Sequence, residues 1–248
     1  MINVLEIPLY DLGMKSAVQH IIDVCKGDQK ENRCVSATGA HGLVYAKTNK
    51  EFSDLLKSFY INLPDGRPGA LVGKIKGGRN MKQVTGPDFF RNLMELSSHT
   101  EIKHYFCGGK EGVAKELKSN CENKFHNHNI VGLYSPPFRN MTEEEFKVLG
   151  DEINAKNTDI VWIGLSTPKQ EFFAQRLSRF VKVHFLVTVG AAFDFHSDKL
   201  KEAPWIFQYF YLEWFYRLCM DPKRLWKRYI EIVPKFIYYN IKELFIKS

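Results

Sequence analysis

Short apolar runs alternate along this chain with longer stretches whose apolar residues return every three or four positions. The first kind predicts buried strands, the second amphipathic helices. Asn3 to Leu9 reads as a strand, and Lys15 to Lys26 as a helix with Val18, Ile21, Ile22 and Cys25 on one face. Arg33 to Ala37 is a second strand, followed through Thr38-Gly39-Ala40-His41-Gly42 by a helix reaching about Phe59. Tyr60 to Leu63 is a third, stopped by the turn signal Pro64-Asp65-Gly66. Arg67 to Asn80 is rich in Gly, Lys and Arg with little periodicity and predicts a mobile loop. Pro87-Asp88 opens a helix over Phe89 to Leu96; Ile102 to Cys107 is a strand, Gly108 to Gly112 a turn and Val113 to Cys121 a helix. Ile130 to Leu133 and Glu143 to Asn154 repeat the unit, and Ile160 to Ile163 and Val183 to Val189 add two more strands. Such alternation predicts an α/β fold. Its sheet is mostly parallel and Rossmann-like, with helices on both faces and ligands at the carboxyl edge of the strands.

Beyond about residue 198 the pattern changes. Residues 204–248 hold 14 of the chain's 34 aromatic residues, with eight Lys or Arg against four Asp or Glu, so +4 of the net charge of +7 lies there. We therefore divide the chain into an α/β core over 1–198 and a helical, aromatic and basic appendage over 199–248. Asp221-Pro222 is a helix start, a cap followed by a first-turn proline. Leu225, Tyr229, Ile232, Val233 and Phe236 then form one stripe, and Pro234 is expected to kink or end the helix. Two readings stand side by side. A stripe at helical spacing packs on a core, and a basic, aromatic amphipathic helix also lies on an anionic bilayer.

Composition narrows the class. The five cysteines are scattered and never spaced Cys-x-x-Cys, which argues for a reducing compartment and against a disulfide framework or zinc site. The N-terminus lacks the basic head and apolar run of a signal peptide, and no window of about 18 residues is apolar enough to predict a transmembrane helix.

The chemistry gathers around Asp159-Ile-Val-Trp-Ile-Gly-Leu-Ser-Thr-Pro-Lys-Gln-Glu-Phe-Phe173. A buried strand runs into a loop of small residues, and Pro168 stands where a helix would begin. That arrangement aims backbone N–H groups at an anion. The run Ser166-Thr-Pro-Lys-Gln-Glu171 resembles the Gly-x-Pro-Lys-Gln-Glu signature of the bacterial WecG/TagA/CpsF glycosyltransferases. Val189-Gly-Ala-Ala-Phe-Asp-Phe-His-Ser197 is similar to the family's Gly-x-x-Phe-Asp-Phe block. Ala203-Pro-Trp205, Leu212 to Leu218 and Asp221 to Tyr229 resemble its C-terminal blocks. Upstream, Pro64-Asp-Gly66, Val84 to Phe90 and Tyr134-Ser-Pro-Pro-Phe138 fall in the family's order, so the resemblance covers about residues 30 to 230.

The resemblance implies a role for each matching position. Asp65 becomes the general base that takes a proton from an acceptor hydroxyl; read from the residues alone, it is an Asp-Gly turn. Ser36 and Thr38 fall at substrate contacts. Thr167, Lys169, Gln170, Glu171 and Asp194 surround the nucleotide-sugar; Gly108 and Gly109, after a strand and before a helix, offer a phosphate cradle by position alone, as any βα turn can. Arg217, Arg224, Lys227 and Arg228 reach the diphosphate, supplying charge that a metal would otherwise supply. The chain departs from the pattern at Thr38, Gln83, Asp198 and Glu202. At Gln83 the family commonly carries Arg, so Lys82, Arg67 or Lys74 must hold phosphate in its place, or the contact is lost.

The reading is then an inverting, metal-independent glycosyltransferase that needs no cofactor. Its donor is a UDP-sugar, of N-acetylmannosamine type or a hexose. Its acceptor is a polyprenyl-diphosphate-linked sugar in cell-surface polysaccharide biosynthesis, met peripherally at the cytoplasmic face of the cell membrane on an anionic surface. Three other classes fit parts of the pattern. A nicotinamide dehydrogenase lacks its Gly-x-Gly-x-x-Gly, and a nucleic-acid-binding module lacks a clean basic stripe. An inert membrane-surface protein of this fold matches the departures at 83, 198 and 202, and turnover separates it from the enzyme.

Overall fold

Residues that alternate or run apolar form two sheets in the computed structural model, which describes residues 1–197, Pro204, Phe207 and 213–246. Strands β1 (Ile2–Val4) and β2 (Ile7–Leu9) make an antiparallel hairpin where the sequence predicts one strand. Leu5 and Glu6 turn the chain there with φ of 50° and 68°, the two-residue geometry that matches strand twist. Neither is Gly or Asn, which hid the turn.

The main sheet is formed by β3 (Arg33–Thr38), β4 (Ile61–Pro64), β5 (His104–Gly108), β6 (Ile130–Tyr134), β7 (Ile160–Gly164) and β8 (Phe185–Thr188). Their order is β4-β3-β8-β7-β5-β6, and every pairing is parallel. All five residues of β7 are buried, as a strand covered on both sides requires. One side carries α2 (Ala40–Thr48), α3 (Lys50–Ser58), α7 (Glu143–Ala155) and α8 (Lys169–Leu177), whose apolar residues pack with Cys107, Val161, Ile163 and Leu186. The other carries α1 (Gly13–Cys25), α5 (Gly86–Ser97), α6 (Val113–Lys124) and α9 (Ala192–His196), packed with Phe106, Trp162 and Val187. This is the doubly wound α/β architecture that the alternation predicts.

Two expectations on helices need correction. The helix expected to reach Phe59 is broken at Asn49, whose side chain accepts from Phe52 N at 2.8 Å and caps α3. The stretch expected to be a mobile loop contains α4 (Arg67–Ile75). Gly73 is a spacer in it: a Cβ there would lie 2.0 Å from Met81 Sδ.

After α10 (Glu213–Met220), α11 (Pro222–Ile246) starts at the expected proline and continues through Pro234, so that residue does not end it. One seam of α11 buries Leu225, Phe236 and Asn240, and the helix lies against α2. At its end Glu243 pairs with Lys76 and accepts from Leu5 N at 3.1 Å, fastening the helix to α4 and the hairpin. Among the described residues no helix is long and apolar enough to cross a membrane.

Candidate active site

β3 leads into α2 on one face of the sheet and its neighbour β8 into α9 on the other, and a crevice opens at the carboxyl edge between them. A cleft of about 2110 Å³ lies there, walled by the loops after β3, β4, β5, β6, β7 and β8 and by α11.

Asp65 sits at the β4 end of this cleft. Its N–H donates to Leu63 O at 2.8 Å and Thr38 O at 3.1 Å, and its Oδ1 accepts from Gly86 N at 3.1 Å. Gly86 is the first residue of α5, so the carboxylate meets the positive end of a helix. Two close approaches hold this geometry. A Cβ on Gly39 would lie 2.8 Å from Asp65 O, and one on Gly86 would lie 2.6 Å from Val189 O.

At the middle of the cleft, Gln170 joins two loops. Its Oε1 accepts from Gly190 N at 3.0 Å, and its Nε2 donates to Thr167 Oγ1 at 3.2 Å and Glu171 Oε1 at 3.0 Å. The same Glu171 oxygen accepts from Thr167 Oγ1 at 2.9 Å and from Ser36 Oγ at 3.3 Å, while Thr38 Oγ1 donates to Ser36 Oγ at 2.9 Å. Burial raises the Glu171 pKa, and the hydrogen bonds from Gln170, Thr167 and Ser36 oppose that rise without cancelling it. Ser36, Thr38 and Glu171 are buried beneath the cleft floor and do not line it, so the structure places them as its support.

The other residues singled out from the sequence are spread along the cleft. Thr167, Lys169, Gly109 and Asp194 line it; Lys169 is exposed and Asp194 half-buried. Gly108 lies below, where a Cβ would be 2.5 Å from Gly164 O, so it serves the approach of β5 to β7. Lys227 is exposed, 5.9 Å from the Trp226 ring centre, and off the lining. The side chains of Arg217, Arg224 and Arg228, like Asp198 and Glu202, lie outside the described residues.

Of the three cations proposed to substitute at Gln83, Arg67 alone lines the cleft, and its Nε donates to Gln83 Oε1 at 3.2 Å. Sequence reasoning missed His41, Arg139 and Arg176 in the wall. Arg139 pairs with Glu145, and Arg176 pairs with Glu143 and stacks 4.8 Å from the Phe146 ring centre. No spacing motif marks them, because separate elements bring them in: His41 from α2, Arg139 from the loop after β6 and Arg176 from α8. Among the described residues no three His, Cys, Asp or Glu side chains gather to hold a metal ion.

A doubly wound sheet with a carboxylate and converging loops at the carboxyl edge of neighbouring strands is the architecture of an α/β enzyme with its ligand crevice there. The profile of the Glycosyl transferase WecG/TagA/CpsF family matches residues 2–248, and the chain belongs to that family. It is similar to the N-acetylglucosaminyldiphosphoundecaprenol N-acetyl-beta-D-mannosaminyltransferase of Bacillus spizizenii (strain ATCC 23059 / NRRL B-14472 / W23), 29% identical over 237 residues, 96% of this chain and 89% of the relative. A protein of the same name from Bacillus subtilis (strain 168) is 28% identical over 217 residues, 87% of this chain and 82% of the relative.

Proposed function

We propose that this glycosyltransferase moves N-acetylmannosamine, or a closely related sugar, from UDP to a sugar carried on a polyprenyl diphosphate. The step belongs to cell-surface polysaccharide assembly at the cytoplasmic face of the membrane. What carries this reading is the position of Asp65. A carboxylate fixed by a helix N-terminus faces the same cleft as the loops joined by Gln170. The names of both relatives specify a mannosaminyl group and a lipid-diphosphate acceptor.

In this mechanism Asp65 accepts the proton of the acceptor hydroxyl as its oxygen attacks the anomeric carbon. The bond from that carbon to the diphosphate oxygen breaks, and UDP leaves with the electron pair. One displacement inverts the centre, turning an α-linked donor into the β product that the relatives' names record. Gln170, Thr167, Lys169 and Asp194 hold the donor. Positive charge is needed where negative charge builds on the leaving group; the resemblance assigns it to Arg217, Arg224 and Arg228 of the appendage in place of a divalent metal, while Lys227 stands off the cleft.

The test is release of UDP from UDP-N-acetylmannosamine in the presence of a short polyprenyl-diphosphate N-acetylglucosamine. Asp65→Asn keeps the side chain's shape and removes its basicity, so turnover is expected to fall by about 10²-fold or more with UDP binding unchanged. Chelator is expected to leave the rate unaltered. Near wild-type turnover by the Asn variant removes Asp65 from the role of base, and strict metal dependence moves the charge stabilisation elsewhere.

A further inference from the structure

The hydroxyls and the amide around Glu171 are oriented by what each partner is able to do. Gly190 N can only donate, so Gln170 faces it with Oε1 and turns Nε2 towards Thr167 and Glu171. Nε2 in turn can only donate. Thr167 Oγ1 therefore accepts from it at 3.2 Å and gives its own hydrogen to Glu171 Oε1 at 2.9 Å. Ser36 Oγ accepts from Thr38 Oγ1 and donates to the same Glu171 oxygen. Oε1 is thus the common acceptor on which the network ends. This holds in either charge state of Glu171, because a proton on it belongs on Oε2, which is buried with no partner among the described residues.

The network decides what the middle of the cleft offers to a ligand. Thr167 lines the cleft half-buried, with its hydrogen committed to Glu171 and one lone pair committed to Gln170, so it meets a ligand with a lone pair only. Both amide hydrogens of Gln170 are engaged, and the N–H of Gly109, also in the wall, donates to Gly164 O at 3.1 Å. A phosphate oxygen is itself an acceptor and gains nothing from Thr167. A sugar hydroxyl or an acetamido N–H does. Thr167 also stands close to the proposed base. A Cβ on Gly42 would lie 3.7 Å from the Thr167 methyl, and one on Gly39 2.8 Å from Asp65 O, so both residues pack against the start of α2.

We propose that Thr167 selects for a hydrogen-bond donor on a sugar beside the reacting centre, and that Glu171 is the positioning residue that makes Thr167 an acceptor. The inference rests on the glycosyl-transfer reading above, which brings the sugar on UDP and the sugar on the lipid carrier together next to Asp65. Both sugars in the relatives' names are N-acetylated, so each carries hydroxyls and an amide N–H. The donor group is the shared chemistry. A site that pairs with a substrate O–H or N–H discriminates against analogues that lack it.

The experiment compares wild type with Thr167→Val, Thr167→Ser, Glu171→Met and Glu171→Gln. Affinities for UDP and for UDP-N-acetylmannosamine are read by titration, and KM for a short polyprenyl-diphosphate N-acetylglucosamine by UDP release. Thr167→Val keeps the branched shape and removes the oxygen. If the sugar on UDP is the partner, this variant is expected to bind UDP-N-acetylmannosamine about five- to tenfold more weakly, the scale of one hydrogen bond, with UDP affinity held. If the acceptor sugar is the partner, both affinities hold and the acceptor KM rises by that factor. Thr167→Ser returns the hydroxyl and should recover most of the loss. Glu171→Met removes Oε1 and frees the Thr167 hydroxyl to turn, so it should move the same constant in the same direction with Thr167 in place. Glu171→Gln can set its amide oxygen where Oε1 stood and should recover most of that loss. Met and Gln are both unbranched and of similar length, so the recovery separates orientation from packing. Should Glu171→Met fail to fold, Glu171→Asp, which draws the carboxylate back from Thr167 by a methylene, takes its place.

A wild type that binds UDP and turns over, beside a Thr167→Val variant whose sugar-nucleotide affinity and acceptor KM both stay within about twofold of it, overturns the proposal and leaves the glycosyl-transfer reading standing. An equal loss of affinity for UDP and for UDP-N-acetylmannosamine also overturns it, because Thr167 then meets the nucleotide. Thr167→Val moving a sugar constant that Glu171→Met leaves alone overturns the positioning role of Glu171. A wild type that neither binds UDP nor turns over overturns the reading and this inference together.

Discussion

Glu171 draws donors from Ser36, Thr167 and Gln170 onto one oxygen in a place closed to water, while its Oε2 is buried with no partner among the described residues. Burial disfavours its charge more than these bonds favour it, and its pKa rises above the ordinary 4.5. A carboxyl whose folded pKa is raised contributes its stability below the unfolded pKa and loses it as pH rises through the folded value. The stability of wild type minus that of Glu171→Gln should therefore fall as pH rises from about 4.5 towards 7, measured by denaturant titration at each pH. A difference that stays flat means that Glu171 titrates in the folded protein as it does in the unfolded chain. The residue also marks a limit of reading from sequence. Strand period puts Ser36 and Thr38 on one side of β3, but it does not say that α8 covers that side and turns Glu171 down onto it. For these three the structure gives a place beneath the cleft floor, whereas the resemblance implies contact with the substrate. Asp65 was easier, because a strand followed by Pro-Asp-Gly leaves its carboxylate only the sheet edge to occupy.

At the scale of elements, the period-2 and period-3.6 signals located all six strands of the parallel sheet and most of its covering helices. The misses share a cause. Glycine reads as a breaker, yet in α4 Gly73 is a spacer that lets Met81 approach the helix backbone. The hairpin turn at Leu5-Glu6 has no turn residues at all. Both depend on what packs or pairs against the segment, Met81 on Gly73 and Ile7–Leu9 on Ile2–Val4, and not on residue type alone. The same kind of contact decides Gly86. An added methyl there would lie 2.6 Å from Val189 O, so the start of α5 must move off the end of β8 and carry its N–H away from Asp65. Gly86→Ala should lose about 1–3 kcal/mol of stability, with a fall in kcat beyond what the unfolded fraction explains. Gly27→Ala, whose nearest contact would be 3.4 Å, is the control. If kcat per folded molecule is unchanged in Gly86→Ala, the α5 N-terminus does not hold the base.

For the whole molecule the decisive element is α11, because both readings of the tail left open by its sequence find a seam on it. The inner seam of Leu225, Phe236 and Asn240 packs on the core and ends at the Glu243–Lys76 pair, so removing the helix uncovers apolar surface on α2. The outer seam of Trp226, Ile230, Val233, Ile237, Ile241 and Phe245 is exposed, begins in the cleft wall and runs away from it. Exposed lysines 223, 227, 235 and 242 accompany it. An exposed apolar seam beside cations is the pattern of a helix lying in the surface of an anionic bilayer, and a lipid-linked acceptor is found in such a surface. Replacing Ile237, Ile241 and Phe245 with Glu should therefore separate two properties. These side chains touch solvent and lie beyond the cleft, so melting temperature and turnover of a short, water-soluble acceptor should stay near wild type. Flotation with phosphatidylglycerol vesicles should be lost in the triple variant, and in wild type it should weaken as salt screens the lysines. A triple variant that floats as wild type does would remove α11 as the lipid-facing element. Loss of flotation together with the fold would show that the outer seam packs on protein in solution.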